Sequence, residues 1–329
     1  MTHTYVLLSL NSDIVQSLTT FARSMPNTLA MGVLWGIVAL GVFITYKILD
    51  FPDLTIDSGG SFMLGAAVSA VLITRGVNPF LALLVSTVAG MLAGSVTGFL
   101  HTKLRIVGLL AGILTMYGLY SINLRVMGKP NIAMLRMSNV FTDFASFFGI
   151  SGLSIEWIWL IAGLIVSIIL VAIMYYFFGT EVGVAIRATG DNPDMIRALG
   201  VNTDSMKLIA LFISNGIVGL AGGMVAQQQN FADMSMGLGV IVIGLASVII
   251  GEAFFGRLGF FGRFCGAFAG SIIYRIIISF ILSLQIGPVR IQTDDMKLAT
   301  SVIIVIALAV PVFRAYASKR ANRRKVAAA

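Results

Sequence analysis

Glu181 to Lys207 reads EVGVAIRATGDNPDMIRALGVNTDSMK, a polar island flanked on both sides by apolar segments long enough to cross a bilayer. Seven of the chain's 36 charged side chains fall in it. That density of charge does not belong in hydrocarbon, so the island sits in water between two membrane spans. Its interior is punctuated as a helix. Asp191 or Asn192 is suited to cap, Pro193 to the first turn, Asp194 to the positive helix end, and Gly200 to a left-handed exit. The spacing predicts a short, rigid helix over 193–199 built to touch a partner.

The chain as a whole is 58% hydrophobic and 11% charged, with a mean hydropathy of +0.96. Soluble domains carry about 25% charged residues. The expected fold is therefore an all-α polytopic membrane protein. A single cysteine, Cys265, excludes an internal disulfide framework and reads as a small buried hydrophobe. His3 and His101 are too few and too far apart for a metal cluster, so no metal site is expected. No G-x-x-x-x-G-K-[ST] motif occurs, so any energy from ATP comes from a partner.

Nine spans are expected, near 28–46, 58–75, 79–99, 104–124, 157–178, 207–228, 237–255, 264–284 and 298–316, each close to the ~20 residues a bilayer demands. Segment 1–27 lacks the basic start of a secretory signal. Ile14, Leu18, Phe21, Ala22 and Met25 oppose Ser12, Asp13, Gln16 and Thr20 on it, as in an interfacial amphipathic helix. The membrane-spanning body covers 28–316, with 181–207 as its inner loop, and 317–329 is a basic tail. That tail follows the last span closely, which places the C-terminus in the cytoplasm. Fourteen Lys and Arg then fall inside and six outside, and the island lies inside. The net charge of +8 is explained by an inner face against anionic lipid, without nucleic acid.

The stretch Asp50 to Gly60, DFPDLTIDSGG, is polar between two apolar segments; it is either a plain turn or the unwound middle of a discontinuous helix. Its Asp57, ahead of Ser58, Gly59 and Gly60, reads as a cap on the following helix, with a substrate-facing role as the sharper alternative. The run from Asp57 is echoed by that from Asp233, DMSMGLGVIVIGLASVIIG. Asp53, Asp57, Ser61, Glu252 and Arg275 are the candidates for a translocation path. Glu252 is expected to reach water, and Arg275, two turns or more into its helix, to need a partner or a cavity. Gly90, Gly94 and Gly98, and Gly266 with Gly270, repeat the G-x-x-x-G spacing that lets helices pack closely in lipid. The long segment 125–157 is expected to hold a short surface helix.

The run AIRATGDNPDMIRALGVN, Ala185 to Asn202, resembles the coupling segment of ABC-importer permeases of the branched-chain amino acid and ribose type, and DFPDLTIDSGGSFMLGA, Asp50 to Ala66, resembles the same family's signature. The FPDLT and IIGEAFFG forms are most similar to a subgroup assigned to tryptophan or tyrosine uptake. The resemblance implies a type II ABC-importer-like permease of eight to ten spans in the bacterial inner membrane. It implies a second permease subunit, cytosolic ATPases that bind ATP and Mg, and an extracytoplasmic binding protein, with no cofactor in this chain. Arg187, Asp191, Asn192, Pro193, Asp194, Met195, Ile196, Arg197, Leu199 and Gly200 would then couple to the ATPase. Met195, Ile196 and Leu199 would serve as apolar contacts, and Asp194 and Arg197 as polar pins. An ion-driven secondary transporter and a membrane scaffold are the rival readings; the first is weakened because the acidic residues lie at span ends.

Overall fold

The computed structural model describes residues 2–283 apart from 150–151 and 257–258, together with Gln285, Ile286, Val289, Arg290, Leu298, Ser301, Val302 and Val305. Eight segments are long and apolar enough to cross a membrane among the described residues: Leu18–Ile48, Leu54–Thr74, Pro79–Thr102, Gly108–Met127, Ile155–Gly179, Thr203–Gln229, Met234–Phe255 and Phe260–Ser283. The expected ninth span, 298–316, and the 317–329 tail lie outside the described residues, bar four positions of the former. Among the described residues the layers are all helical, with two short β-ribbons beside them.

Helix α1 runs from Thr2 to Phe43, so segment 1–27 and the first span form one continuous rod with Pro26 inside it. It ends in a π-helical turn, Ile44–Ile48. Helices α2 (Ser61–Thr74), α3 (Pro79–Thr102) and α4 (Gly108–Met127) follow. The segment expected to hold a surface helix contains β1 (Asn131–Ala133) and α5 (Val140–Phe147), the latter started by an Asn139–Thr142 capping box. Then come α6 (Ile155–Gly179), α7 (Glu181–Asp191), α8 (Pro193–Ala198) and α9 (Thr203–Gln229). Strand β2 (Phe231–Asp233), α10 (Val240–Phe255), α11 (Phe260–Ser283) and the ribbon β3–β4 (Gln285–Ile286 with Val289–Arg290) complete the order.

The centre is the α2–α3–α9 trio, held at backbone distance by small residues. Gly90 faces the Asn215 carbonyl and Gly219, Gly94 faces Leu211 and Asn215, and Gly98 faces Leu208. Gly65 meets Gly219 from α2, and Ser86 Oγ donates to the Gly65 carbonyl at 2.9 Å. Gly266 and Gly270 perform the same service between α11 and α10, against Gly251 and Ser247. Cys265, expected to be a small buried hydrophobe, is partly buried on α11 and packs against the core.

Strand β1 pairs antiparallel with β2, Asn131 opposite Asp233. This ribbon ties the loop after α4 to the loop after α9 at one end of the bundle. The opposite end carries α7 and α8, the end of α1, and the starts of α9 and α11.

Candidate functional site

Helix α2, at 14 residues, is about 21 Å long, and α10, at 16, about 24 Å. Neither spans a hydrocarbon core of about 30 Å unaided. Each is completed by an unwound approach. The stretch after α1 climbs along α4: Phe51 meets Gly108, Leu54 meets Gly112, and Gly59 meets Tyr120 and, through its carbonyl, Asn123 Nδ2 at 2.7 Å. The stretch 234–239 descends from the β-ribbon end. Of the two readings of Asp50–Gly60, the discontinuous helix is therefore the one observed.

The two approaches are built alike. In the first, a 3-10 turn, Leu54–Ile56, is capped by Asp53, which accepts from the Thr55 N–H at 2.9 Å. In the second, the turn Met234–Gly237 is capped by Asp233, which accepts from the Ser235 N–H at 2.8 Å. The Ser235 hydroxyl also holds the Asp233 carboxyl below the usual carboxylate range. The correspondence is thus Asp53 with Asp233, whereas the sequence echo aligned Asp57; the pattern Asp-x-Ser/Thr is the shared local code.

They also cross. The Ser58 N–H donates to the Gly237 carbonyl at 2.6 Å, and Asp57 Oδ1 accepts from the Ile241 N–H at 3.2 Å. Asp57, expected to cap the helix that follows it, instead caps α10. Ser58 takes a left-handed φ of 49° to make the crossing. At Gly237 a β-carbon would fall on the Ser58 carbonyl oxygen, so only glycine fits.

Asp53 is buried and lies beside the middle of α9, where its Oδ2 accepts from Asn215 Nδ2 at 2.7 Å. Thr55 adds a hydroxyl contact of 2.6 Å to Thr97 on α3. Ser61 is fully buried at the start of α2, with its Oγ unpartnered among the described residues. Asp53→Asn is expected to lower stability by about 1–3 kcal/mol. Its new amide either faces the Asn215 amide, donor against donor, or gives up the Thr55 cap; a thermal midpoint equal to wild type would refute this assignment.

The remaining candidates lie apart from this crossing. Glu252 pairs with Lys47 at 2.6 Å, both partly exposed, at the α7–α8 end. Arg275 stacks on Trp35 with its guanidinium 4.6 Å from the ring centre, and Trp35 in turn stacks on Phe62. The Arg275 partner is thus an aromatic face rather than a carboxylate.

The polar island folds as two helices, of which sequence reading anticipated only the second. Helix α7 packs so closely on the end of α1 that Gly190 touches the Ile48 carbonyl. Asn192 ends α7 and caps α8, accepting from the Met195 N–H at 3.0 Å; Pro193 occupies its first turn with Asp194, and Gly200 leaves it at φ 86°. Leu199 is 72% exposed and Met195 50%, but Ile196 is only 6% exposed. Arg197 folds back to donate to Thr203 Oγ1 at 2.8 Å and reaches Asp204 at 3.9 Å. The expected outward contact of Ile196 is corrected accordingly, since Ile196 anchors α8 from within; Arg197 braces the return to α9 while its side chain stays 56% exposed. Asp191 is exposed at the end of α7, and Arg187 lies over the Phe260 ring at 4.4 Å.

Residues 24–311 match the family described as branched-chain amino acid transport system / permease component. A tyrosine transport system permease protein of Clostridioides difficile is 38% identical over 283 residues, 86% of this chain and 90% of the relative. An uncharacterized protein of Rickettsia prowazekii is 34% identical, covering 82% and 91%. A probable branched-chain amino acid transport permease of Methanocaldococcus jannaschii is 26% identical, covering 65% and 69%. A family match across most of the length, on a helical bundle with a solvent-facing capped helix at one end, identifies the chain as a member of the branched-chain amino acid transport permease family, a multi-pass membrane component without an ATPase site of its own.

Proposed function

We propose that the chain forms the translocation path of an ATP-driven importer for an aromatic amino acid, tyrosine first, released by an extracytoplasmic binding protein. Two permeases and two cytosolic ATPases, which bind the ATP and Mg, complete the assembly. The protein lies in a bacterial inner membrane with α7, α8 and the C-terminus in the cytoplasm. Support for the substrate class comes from the relative named for tyrosine transport.

The observation that carries this reading is the construction of α8. It is capped at both ends, anchored inward by Ile196, and braced by Arg197. It thereby presents Met195 and Leu199 to a partner as a preformed apolar pair. Preorganisation of this kind lowers the entropy lost on docking. Movement of the two ATPases would pull α8, and through α7 the end of α1, so differential binding to two states drives alternating access. Asp53 and Asp57 serve here as the fixed frame of the two half-helices rather than as ligands of the solute. Arg275 and Glu252 remain available to line the path.

Leu199→Asp is expected to leave the chain in the membrane while reducing labelled tyrosine uptake and ATPase co-purification at least about tenfold, the effect of setting a charge in an apolar contact. Undiminished uptake by a well-expressed variant would remove α8 from the docking site. Uptake of leucine in preference to tyrosine would overturn the substrate while leaving the coupling reading intact.

A further inference from the structure

We infer that the cleft where the end of α1, α7 and the start of α11 meet binds the phosphate headgroup of an anionic phospholipid. The cleft is a cavity of about 320 Å³ whose lining includes Lys47, Arg187 and Arg263, with Asp191 as its one carboxylate among the described residues. Lys47 is already engaged by Glu252. Arg187 and Arg263 have no carboxylate within ion-pair distance among the described residues. The Nε of Arg187 is buried and finds no acceptor there. Its guanidinium carbon lies over the Phe260 ring, 4.4 Å from the centre, and its N–H groups can donate as a fork to phosphate oxygens.

A second cavity, of about 500 Å³, shares Arg187 and Phe260 and continues past them to Tyr175, Tyr176 and Phe178 at the end of α6. The basic and the aromatic spaces are therefore joined at one cation. Tyr175 and Tyr176 are exposed at the point where the α6 span stops, the level at which amphipathic rings meet headgroups. A ligand with an anionic head and an apolar body fills both cavities; a free phosphate fills only the first. Basic pockets between spans at the membrane boundary suit such lipids. Because Arg187 and Asp191 both belong to α7, an occupant would brace that helix against α1.

The test uses purified protein in nanodiscs of phosphatidylcholine, titrated with phosphatidylglycerol or with inorganic phosphate, reading the thermal midpoint and the lipid retained in native mass spectrometry. Phosphatidylglycerol is expected to raise the midpoint and remain bound. Arg187→Gln and Arg263→Gln are each expected to need about tenfold more of it, the loss of a charge-assisted contact. Arg263 is exposed, so its variant keeps the test open should Arg187→Gln fail to fold. Equal stabilisation of wild type and variants means a general lipid annulus and overturns the site. The same rise with inorganic phosphate alone means a free-anion site and overturns the lipid. No response of the wild type overturns it outright.

Discussion

Gly90→Leu is expected to leave almost no monodisperse protein after mild-detergent extraction. A β-carbon at Gly90 would already fall inside the contact radius of the Asn215 carbonyl oxygen and touch Gly219. These are backbone atoms of a helix that is itself pinned, since α2 meets Gly219 from its other side through Gly65. No rotamer change relieves the overlap, so the helices must separate. Separation would also strain the Asp53–Asn215 hydrogen bond. The expected destabilisation exceeds about 4 kcal/mol, a large share of a typical stability of about 5–15 kcal/mol. Gly118→Leu, on α4, supplies the control, because nothing lies within 4 Å of a β-carbon there. Its variant should extract like wild type. Equal behaviour of the two variants would mean that the backbone contact of α3 with α9 is not what holds the trio together.

That contact was legible in the sequence as the triple Gly90, Gly94 and Gly98, because in lipid close approach requires small residues and their spacing is visible. The capping of α8 was equally legible, since Asn192, Pro193 and Gly200 act through their own backbone neighbours. What escaped was whatever depends on partners distant in sequence. Ile196 turns inward because α7, unseen as a separate helix, leaves α8 folded back on the bundle. Arg197 turns back because Thr203 and Asp204 start the next helix beside it. Asp57 caps α10, across 184 residues of sequence, although its local text reads as a cap on α2. The echo between the halves was visible, but its register was not: apolar runs align in several ways, and only the Asp-x-Ser/Thr turns, once seen in space, fix Asp53 opposite Asp233.

Gly237→Ala is expected to be strongly damaging, with Asp57→Ala milder and Asp57→Asn nearest to wild type. The methyl of alanine would lie on the Ser58 carbonyl oxygen, so the two segments could not pass each other as they do. Parting them breaks the Ser58 N–H to Gly237 bond and the Asp57 to Ile241 N–H bond together. Unsatisfied backbone groups at membrane depth cost several kcal/mol each, whereas Asp57→Ala removes the acceptor of the Ile241 N–H and of the rotatable Ser58 hydroxyl while leaving the backbone crossing intact, a loss of about 1–3 kcal/mol. Asparagine keeps an acceptor oxygen at that position and should retain most of the bond. Thermal midpoints of the purified variants, measured beside uptake in cells expressing equal amounts, test the order. If Gly237→Ala matches wild type in both, the segments do not cross where Ser58 meets Gly237. If stability falls in the stated order but uptake falls equally in all three, the Asp57 carboxylate has a role in transport beyond capping α10, because asparagine preserves the cap and removes only the charge.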